Sequence, residues 1–156
     1  MKKWIRVFTF ALLCISMACA SNKADAAKKK LIVIDAGHQA KGNSQLEPIG
    51  PGASTKKAKV ASGTTGKASR LTEYKLNLKV AKKLRKELKA RGYKVIMIRT
   101  THNVNISNSR RAAIANNYKA DAFIRIHANG STNTNIKGAL TMAPTLKNPY
   151  MKKSVI

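Results

Sequence analysis

Cysteine is nearly absent from this sequence of 156 residues. Its two cysteines, Cys14 and Cys19, both lie within the first 27 residues. If that segment is removed, the remaining chain has no thiol. It then cannot be stabilised by disulfide bonds and cannot use a cysteine as a nucleophile. Its folding must then depend on an ordinary hydrophobic core, for which the remaining length of about 129 residues is sufficient.

The first 27 residues have the layout of a secretory signal peptide. A basic head precedes an apolar run at residues 7–20, and ADAA at 24–27 offers a cleavage site among small residues. The run is shorter than the roughly 20 residues that cross a bilayer. The alternatives are an uncleaved anchor and a lipoprotein modified at Cys19. We expect a leader at 1–27, a mature domain at 28–156 and secretion to the cell wall, with membrane contact only through the leader.

Acidic and aromatic residues are also scarce. Only 6 Asp and Glu residues accompany 31 Lys and Arg residues, so the formal net charge is +25, and aromatic residues make up 5% of the chain. Such an excess of positive charge indicates polyanionic surroundings. Nucleic acid is disfavoured because single-strand binders usually stack bases on aromatic side chains, and because export is expected. For an exported protein, anionic cell-wall polymers or an anionic membrane surface are the favoured partners, and we expect the cell-wall polymers.

Apolar patterns predict the first strand and helix. LIVI at 31–34 is typical of a buried strand, whereas residues 39–70 are rich in Gly, Ser, Thr, Lys and Pro and predict a long loop. Beyond a cap at Thr72, apolar residues recur every four positions and predict an amphipathic helix at 73–91, which Gly92 ends. The lysines on its other faces predict a solvated surface: Lys75, Lys79, Lys82, Lys86 and Lys89.

The remaining segments predict an α/β fold. Further strands are predicted at 94–98, 122–127 and, as a fourth strand, 138–143. A second helix is predicted from a serine cap at 107 or 109 to about residue 118. Alternating strands and helices indicate three layers, with a mostly parallel twisted sheet between helices on both faces.

Two histidines and one glutamate are predicted to meet at one edge of this sheet. His38 follows the first strand and His127 closes the third, while Glu73 begins the helix that runs back from the same edge. Ligands of open α/β sheets bind beyond the carboxyl ends of the strands. Two imidazoles and a carboxylate leave one tetrahedral position open, as in hydrolytic zinc sites. The simpler interpretations are hydrogen-bonded loop histidines and an acid favoured by the helix dipole.

Four blocks of sequence together resemble a known family. They are VIDAGHQ, TEYKLNLKVAKKLRKELKARGYKVIMIRT, SRRAAIANNYKADAFIRIHANGS and the glycine at 138. In this order they resemble the zinc-dependent N-acetylmuramoyl-L-alanine amidases of the amidase-3 type, over roughly residues 30–150. GNSQLEP and EPIGPG are similar to the subgroup from spore-forming Gram-positive bacteria that includes cortex-maturation enzymes.

The resemblance implies one zinc ion per chain, bound by His38, Glu73 and His127. It implies hydrolysis of the amide bond between N-acetylmuramic acid and L-alanine in peptidoglycan, since zinc lowers the pKa of water and polarises a carbonyl. Asp35 matches a strand-end aspartate that either orients a ligand imidazole or holds the loop. Asn129 is expected to fix the loop after His127 or to contact substrate.

Three other residues have less specific expectations. Arg110 and Asn116 match helix positions that serve in packing or in anchoring a loop. His102, in RTTHN, is expected to be exposed, with a place in the substrate groove as its alternative.

The sequence departs from the family pattern in one respect. Family members have a further glutamate in a late strand that serves as general base and acid, and no such segment is found up to Ile156. The last strands and helices of the family fold are therefore expected to be missing. The chain is then a fragment of a complete amidase, a natural truncation that is inactive or unfolded, or an enzyme with a substitute acid. Glu47 is the one plausible substitute, and no other catalytic residue is identified.

Two other classes of function stay open. A nucleic-acid-binding module would account for the charge and predicts a steep salt dependence. A non-catalytic, basic cell-wall-binding protein on the same fold would keep the zinc site and lack the general base. A longer reading frame containing the late glutamate would favour the enzyme.

Overall fold

The computed structural model describes residues 28–133 and 135–144. The elements, in chain order, are β1 (Leu31–Ala36), β2 (Asn43–Pro48), β3 (Lys56–Val60), α1 (Glu73–Ala90), β4 (Lys94–Met97), α2 (Asn108–Asn117) and β5 (Ala122–Ile126). The leader predicted at 1–27 lies outside the described residues. Within the described part of the chain, no helix combines the length and the apolar character needed to cross a bilayer.

A three-stranded parallel sheet forms the centre of the fold. Its strand order is β4-β1-β5, so β1 is paired on both edges. Ile34, for example, lies opposite Met97 on one side and Ile124 on the other. The chain passes from β1 through α1 to β4, and then back across β1 through α2 to β5. This reversal creates a switch point between the carboxyl ends of β1 and β5, where α/β proteins bind their ligands.

The core lies on both faces of β1, because successive side chains of a strand point to opposite faces. Ile34 is fully buried in a cluster with Leu78 and Ala81 of α1. Val33 is fully buried on the other face, in a cluster with Ala115 of α2. Burial of each such aliphatic side chain contributes roughly 1.5–3 kcal/mol. The predicted three-layer α/β fold with helices on both faces is therefore confirmed.

Helix α1 forms where the apolar periodicity predicts it, although its buried face is rotated. The predicted end is confirmed within one residue, and Gly92 follows the helix with a φ of 85°. Thr72 is at the N-cap position, but its side chain makes no capping hydrogen bond. Val80 is 41% exposed, while Leu78 is buried. The apolar stripe therefore passes through Leu78 rather than through Val80.

The long loop predicted at 39–70 is wrong in part, because it contains a two-stranded antiparallel ribbon formed by β2 and β3. Its side chains are mostly polar and exposed, so the sequence shows no alternation of apolar residues. Pro48 is tolerated because it ends β2 in a ribbon outside the main sheet. The few buried side chains, Glu47 and Val60, fix the ribbon against the domain.

The fourth strand predicted at 138–143 is also wrong. These residues are all exposed and pair with no strand of the described chain. Leu140 and Met142 lie two residues apart on either side of Thr141, as on one face of a strand, yet they are 73% and 78% exposed. A strand needs a partner for its backbone groups, and the described residues provide none here.

Candidate metal centre

The three residues predicted as metal ligands lie together at the carboxyl edge of the sheet. His38 Nε2 is 3.1 Å from Glu73 Oε1, and His127 Nδ1 is 3.2 Å from the same oxygen. The two imidazole nitrogens are 3.0 Å apart. His38 leaves β1 and His127 leaves β5, while Glu73 is the first residue of α1. The switch point between β1 and β5 thus brings together residues that are far apart in the sequence.

The donor atoms fit a zinc ion in both chemistry and spacing. A tetrahedral ion with bonds of about 2.0–2.1 Å holds its donor atoms about 3.4 Å apart. The three observed separations of 3.0 to 3.2 Å are only slightly shorter. Small movements of the three side chains would therefore enclose the ion. Two imidazoles and one carboxylate also leave one of four coordination positions to a non-protein ligand.

The backbone at His38 is held in an unusual conformation that aims its ring. Its φ is 60°, a left-handed value that few residues other than glycine adopt. His38 Nδ1 lies 2.8 Å from the carbonyl oxygen of Ala61. Since a carbonyl oxygen only accepts, Nδ1 carries a proton, and in the neutral ring Nε2 is the nitrogen with the lone pair. That lone pair is directed at Glu73 and His127.

Two glycines allow the three side chains to approach one another. A Cβ atom on Gly37 would lie 2.6 Å from the His127 ring and 2.6 Å from the carbonyl oxygen of Ile126. A Cβ on Gly63 would lie 2.9 Å from Glu73 Oε2 and 3.0 Å from the ring of His38, and Gly63 has a φ of 85°. Neither position has room for a side chain.

Glu73 is buried and receives several hydrogen bonds. The backbone N–H of Ala128 donates to Oε1 at 2.8 Å, and that of Thr64 donates to Oε2 at 3.1 Å. Burial acts to raise the pKa of Glu73, but these donors, the charge of His38 in its protonated form and the amide of Asn77 together lower it below its usual value. Glu73 is therefore ionised at neutral pH, as a metal ligand must be.

His127 is neutral at neutral pH. Burial lowers the pKa of His127, and the nearby charges of Arg125 and His38 lower it further. Arg125 Nε donates to His127 Nε2 at 3.0 Å, so Nδ1 carries the ring proton. A cation on Nδ1 requires that proton at Nε2 and hence the release of Arg125. Asp35 Oδ2, 3.3 Å from Arg125 Nε, is an alternative partner for the guanidinium.

Asp35, for which the sequence allows two roles, makes the contacts of a structural residue. It is fully buried, and its Oδ1 lies 2.6 Å from Nη1 of the fully buried Arg111. Its other oxygen lies near Arg125, which in turn contacts His127. Asp35 thus reaches a ligand imidazole only through an arginine.

Two buried arginines hold the loop that carries His38. Arg99 Nε donates to the carbonyl oxygen of Ala36 at 2.7 Å, and its Nη2 donates to that of Gly37 at 3.0 Å. Arg111 Nη2 donates to the carbonyl oxygen of His38 at 3.3 Å. Three successive carbonyl groups are therefore bound by guanidinium groups. These bonds stabilise the left-handed turn at His38.

Sequence reasoning missed these supporting residues. The helix residues that it singled out, Arg110 and Asn116, are exposed, whereas the neighbouring Arg111 is buried. Asn77 is buried and donates to the carbonyl oxygen of Gly37 and to Glu73 Oε1. Asn77 could have been found from the sequence, because it is a polar residue four positions after Glu73 and therefore lies on the same, inner face of α1.

The remaining candidates lie around the centre. Glu47 accepts hydrogen bonds from the backbone and hydroxyl of Ser109 at the start of α2. Burial acts to raise the pKa of Glu47, but these bonds lower it overall. Its contacts are those of a residue that caps a helix. His102 is half-buried against the ring of Tyr74 at 5.3 Å, so the expectation of an exposed side chain is wrong.

A cleft of about 550 Å³ opens beside Glu73. One wall comes from the segment before α1 and the other from the segment after His127. Its lining residues include Thr64, Thr65, Lys67, Ser69, Asn129 and Ser131. Hydroxyl, amide and ammonium groups thus face a space large enough for a small polar ligand.

Comparisons with known proteins agree with this arrangement. The sequence profile of the N-acetylmuramoyl-L-alanine amidase family Amidase_3 matches residues 32–155. The fold is similar to the amidase Ami1 of Mycobacterium smegmatis, with 27% identity, a TM-score of 0.61, and coverage of 67% of this chain and 49% of that one. Ami1 of Mycobacterium abscessus has 26% identity and a TM-score of 0.59, with coverage of 65% of this chain and 49% of that one.

A third similar structure is the catalytic domain of the amidase CwlV from Bacillus (Paenibacillus) polymyxa. It has 29% identity and a TM-score of 0.51, with coverage of 69% of this chain and 49% of that one. The chain therefore spans about half the length of the amidases it matches. A comparison with curated protein sequences gives no significant match.

Proposed function

The chain belongs to the Amidase_3 family of N-acetylmuramoyl-L-alanine amidases, and from this premise we propose that it acts in zinc-dependent hydrolysis of peptidoglycan. The bond cleaved is the amide between N-acetylmuramic acid and L-alanine. The observation that carries the proposal is the meeting of His38, Glu73 and His127, whose candidate ligand atoms all lie within 4.8 Å of one another.

The side chains of the centre have distinct tasks in this proposal. His38 offers Nε2, because its Nδ1 proton is bound to Ala61. Glu73 offers an ionised oxygen, since four groups around it lower its pKa. His127 completes the set through Nδ1 once Arg125 releases the other ring nitrogen. Zinc, when bound, supplies a Lewis acid that polarises a carbonyl and lowers the pKa of water.

The adjoining cleft is the proposed substrate site. Its hydroxyl and amide groups are suited to hydrogen bonds with sugar and peptide groups, which are themselves donors and acceptors. Asn129 lies two residues after His127 and lines the cleft, so it can orient the amide bond next to the metal. Substrate bound here would also exclude water from Glu73, which strengthens the electrostatic interactions at the centre.

A non-catalytic wall-binding protein is the second candidate. Among the described residues, the glutamates other than Glu73 are occupied elsewhere: Glu47 binds Ser109, and Glu87 pairs with Arg91 at 2.8 Å. Neither belongs to the cluster around Glu73. A protein with this centre and no general base would bind zinc and peptidoglycan without cleaving the amide.

Zinc titration tests the proposal. The purified chain is expected to bind one zinc ion, measured by competition with a chromophoric chelator. His38→Ala and His127→Ala should abolish binding, since each removes one of three ligands. His102→Ala is the matched control, because this histidine lies outside the cluster and should leave binding unchanged. Retention of stoichiometric zinc by the double variant of His38 and His127 would refute the site.

Hydrolysis is then measured separately from binding. Purified peptidoglycan is incubated with the zinc-loaded chain, and released peptides with a free L-alanine amine are quantified. Release that a chelator stops supports the amidase. Binding to peptidoglycan without release supports the non-catalytic candidate.

We also propose the setting of this activity. The signal-peptide pattern at 1–27 supports secretion to the cell wall, and the net charge of +25 supports association with anionic wall polymers rather than nucleic acid. The similarity of GNSQLEP and EPIGPG to the spore-former subgroup supports a role in cortex peptidoglycan. A fusion of residues 1–27 to a reporter enzyme, assayed for export, tests the secretion proposal.

A further inference from the structure

Helix α1 presents a continuous row of lysines on the face opposite the core. The row, called here the lysine stripe, consists of Lys75, Lys79, Lys82, Lys86 and Lys89, all exposed. Their spacings of four, three, four and three residues follow the helical repeat, so the five side chains lie on one face. At 1.5 Å per residue the stripe is about 21 Å long, with steps of about 4.5 to 6 Å.

No carboxylate neutralises the stripe within the described part of the chain. None of its five lysines takes part in a salt bridge there. The single acid on the exposed surface of α1, Glu87, pairs with Arg91 at 2.8 Å. Five like charges in a row repel one another, and like-charge pairs three or four residues apart destabilise a helix. An anionic partner along the stripe would remove this repulsion.

The stripe starts beside the metal centre. Lys75 lies two residues after Glu73, and the row runs away from the rim along α1. Its field reaches the rim as well: burial and the charge of Arg99 lower the pKa of His102, and the charges of Lys75 and Lys82 lower it further. A linear ligand on the stripe would therefore reach the end of α1 that carries Glu73.

We propose that the lysine stripe binds a linear wall polymer that carries a phosphodiester in each repeat. Lysine is a compact point charge without the fork of arginine, so such a row recognises charge spacing rather than the shape of one group. Single-stranded nucleic acid is less suitable, since its binders combine a basic groove with aromatic platforms and the stripe contains none. The choice of a wall polymer rests on the proposed function.

The test compares two variants with the same change in charge. The stripe variant replaces its five lysines by glutamine, which keeps a high helix propensity. The control variant replaces five exposed lysines elsewhere: Lys28, Lys29, Lys56, Lys57 and Lys137. Both are sedimented with purified cell walls, before and after acid extraction of the phosphodiester polymer, over a range of salt concentrations. Zinc titration of each variant verifies that the fold and the metal centre are intact.

The stripe variant is expected to lose at least tenfold in affinity for intact walls, and the control variant less than threefold. Extraction of the polymer should lower wild-type binding to the level of the stripe variant. Each phosphate contact contributes about 0.7 to the slope of log affinity against log salt for a flexible strand, so loss of five contacts should lower the magnitude of the slope by about 3.5.

Equal losses in both variants, or wild-type binding that survives extraction, would overturn the proposal. So would stronger competition by single-stranded oligothymidylate than by poly(glycerol phosphate) of the same charge. Binding to extracted walls reports the interaction with peptidoglycan alone. The experiment therefore distinguishes a failure of the stripe proposal from a failure of the amidase proposal.

Discussion

Replacement of Gly37 by alanine tests the packing of the metal centre most directly. The added Cβ would lie 2.6 Å from His127 Cε1 and Nε2, whereas ordinary contacts start at 3.4 Å. The ring must therefore move by about 0.8 Å or the backbone of Ile126 must yield, because a close-packed site has no spare volume. Insertion of an extra methyl group into a packed site costs roughly 1–3 kcal/mol.

If this strain falls on the position of His127, it appears as a loss of zinc affinity. Since about 1.4 kcal/mol corresponds to a factor of ten, Gly37→Ala should weaken zinc binding about 5- to 150-fold. The assay is competition with a chromophoric chelator, together with urea denaturation of the metal-free protein. The denaturation curve shows how much the substitution lowers the free energy of unfolding of the metal-free protein.

Gly130→Ala is the matched control. Gly130 lies three residues after His127 in the sequence, but a Cβ there meets no atom within 4 Å and its φ is not left-handed. We expect this variant to bind zinc as the wild type does. Wild-type zinc affinity in Gly37→Ala, or an equal loss in Gly130→Ala, would refute the close approach of His127 to this loop.

Three further changes probe the supporting residues. Arg111→Met removes the fully buried partner of Asp35 and leaves only the partly exposed Arg125 near it, so the free energy of unfolding in urea should fall by roughly 3 kcal/mol. An additional Asp35→Asn should recover part of this loss, and a loss below about 1 kcal/mol would contradict the pairing. Glu47→Gln should cost about 1 kcal/mol at pH 7 through its bonds to Ser109. Folding lowers the pKa of Glu47, so its contribution to stability is fully present above the ordinary pKa of about 4.3. The contribution is lost as the pH falls through the lower pKa of the folded state. A difference in unfolding free energy between wild type and Glu47→Gln that does not change with pH would contradict this. Asn77→Ala should weaken zinc binding about tenfold in the competition titration, and unchanged affinity would remove Asn77 from the support of Glu73.

Much of the candidate site can be predicted from local sequence patterns. The apolar run of β1, the period of α1 and the strand before His127 are local features, and each can be recognised in a short window. Parallel strands share a carboxyl edge, so these patterns suffice to place His38, Glu73 and His127 near one another. The same reasoning failed for residues 138–143, because a short apolar segment cannot tell whether a neighbouring strand exists to pair with it.

Sequence alone determined the fold class, the central strand with its two helices and the three side chains that form the candidate centre. Only the tertiary structure decided how they are held. Arg99 reaches the carbonyl of Ala36 across 63 positions, and Arg111 reaches the same carbonyl across 75. Periodicity reports which face of an element is apolar, whereas hydrogen bonds over such separations depend on how the elements pack in space. For that reason the buried arginines, and the glycines that admit His127, are visible only in the folded chain.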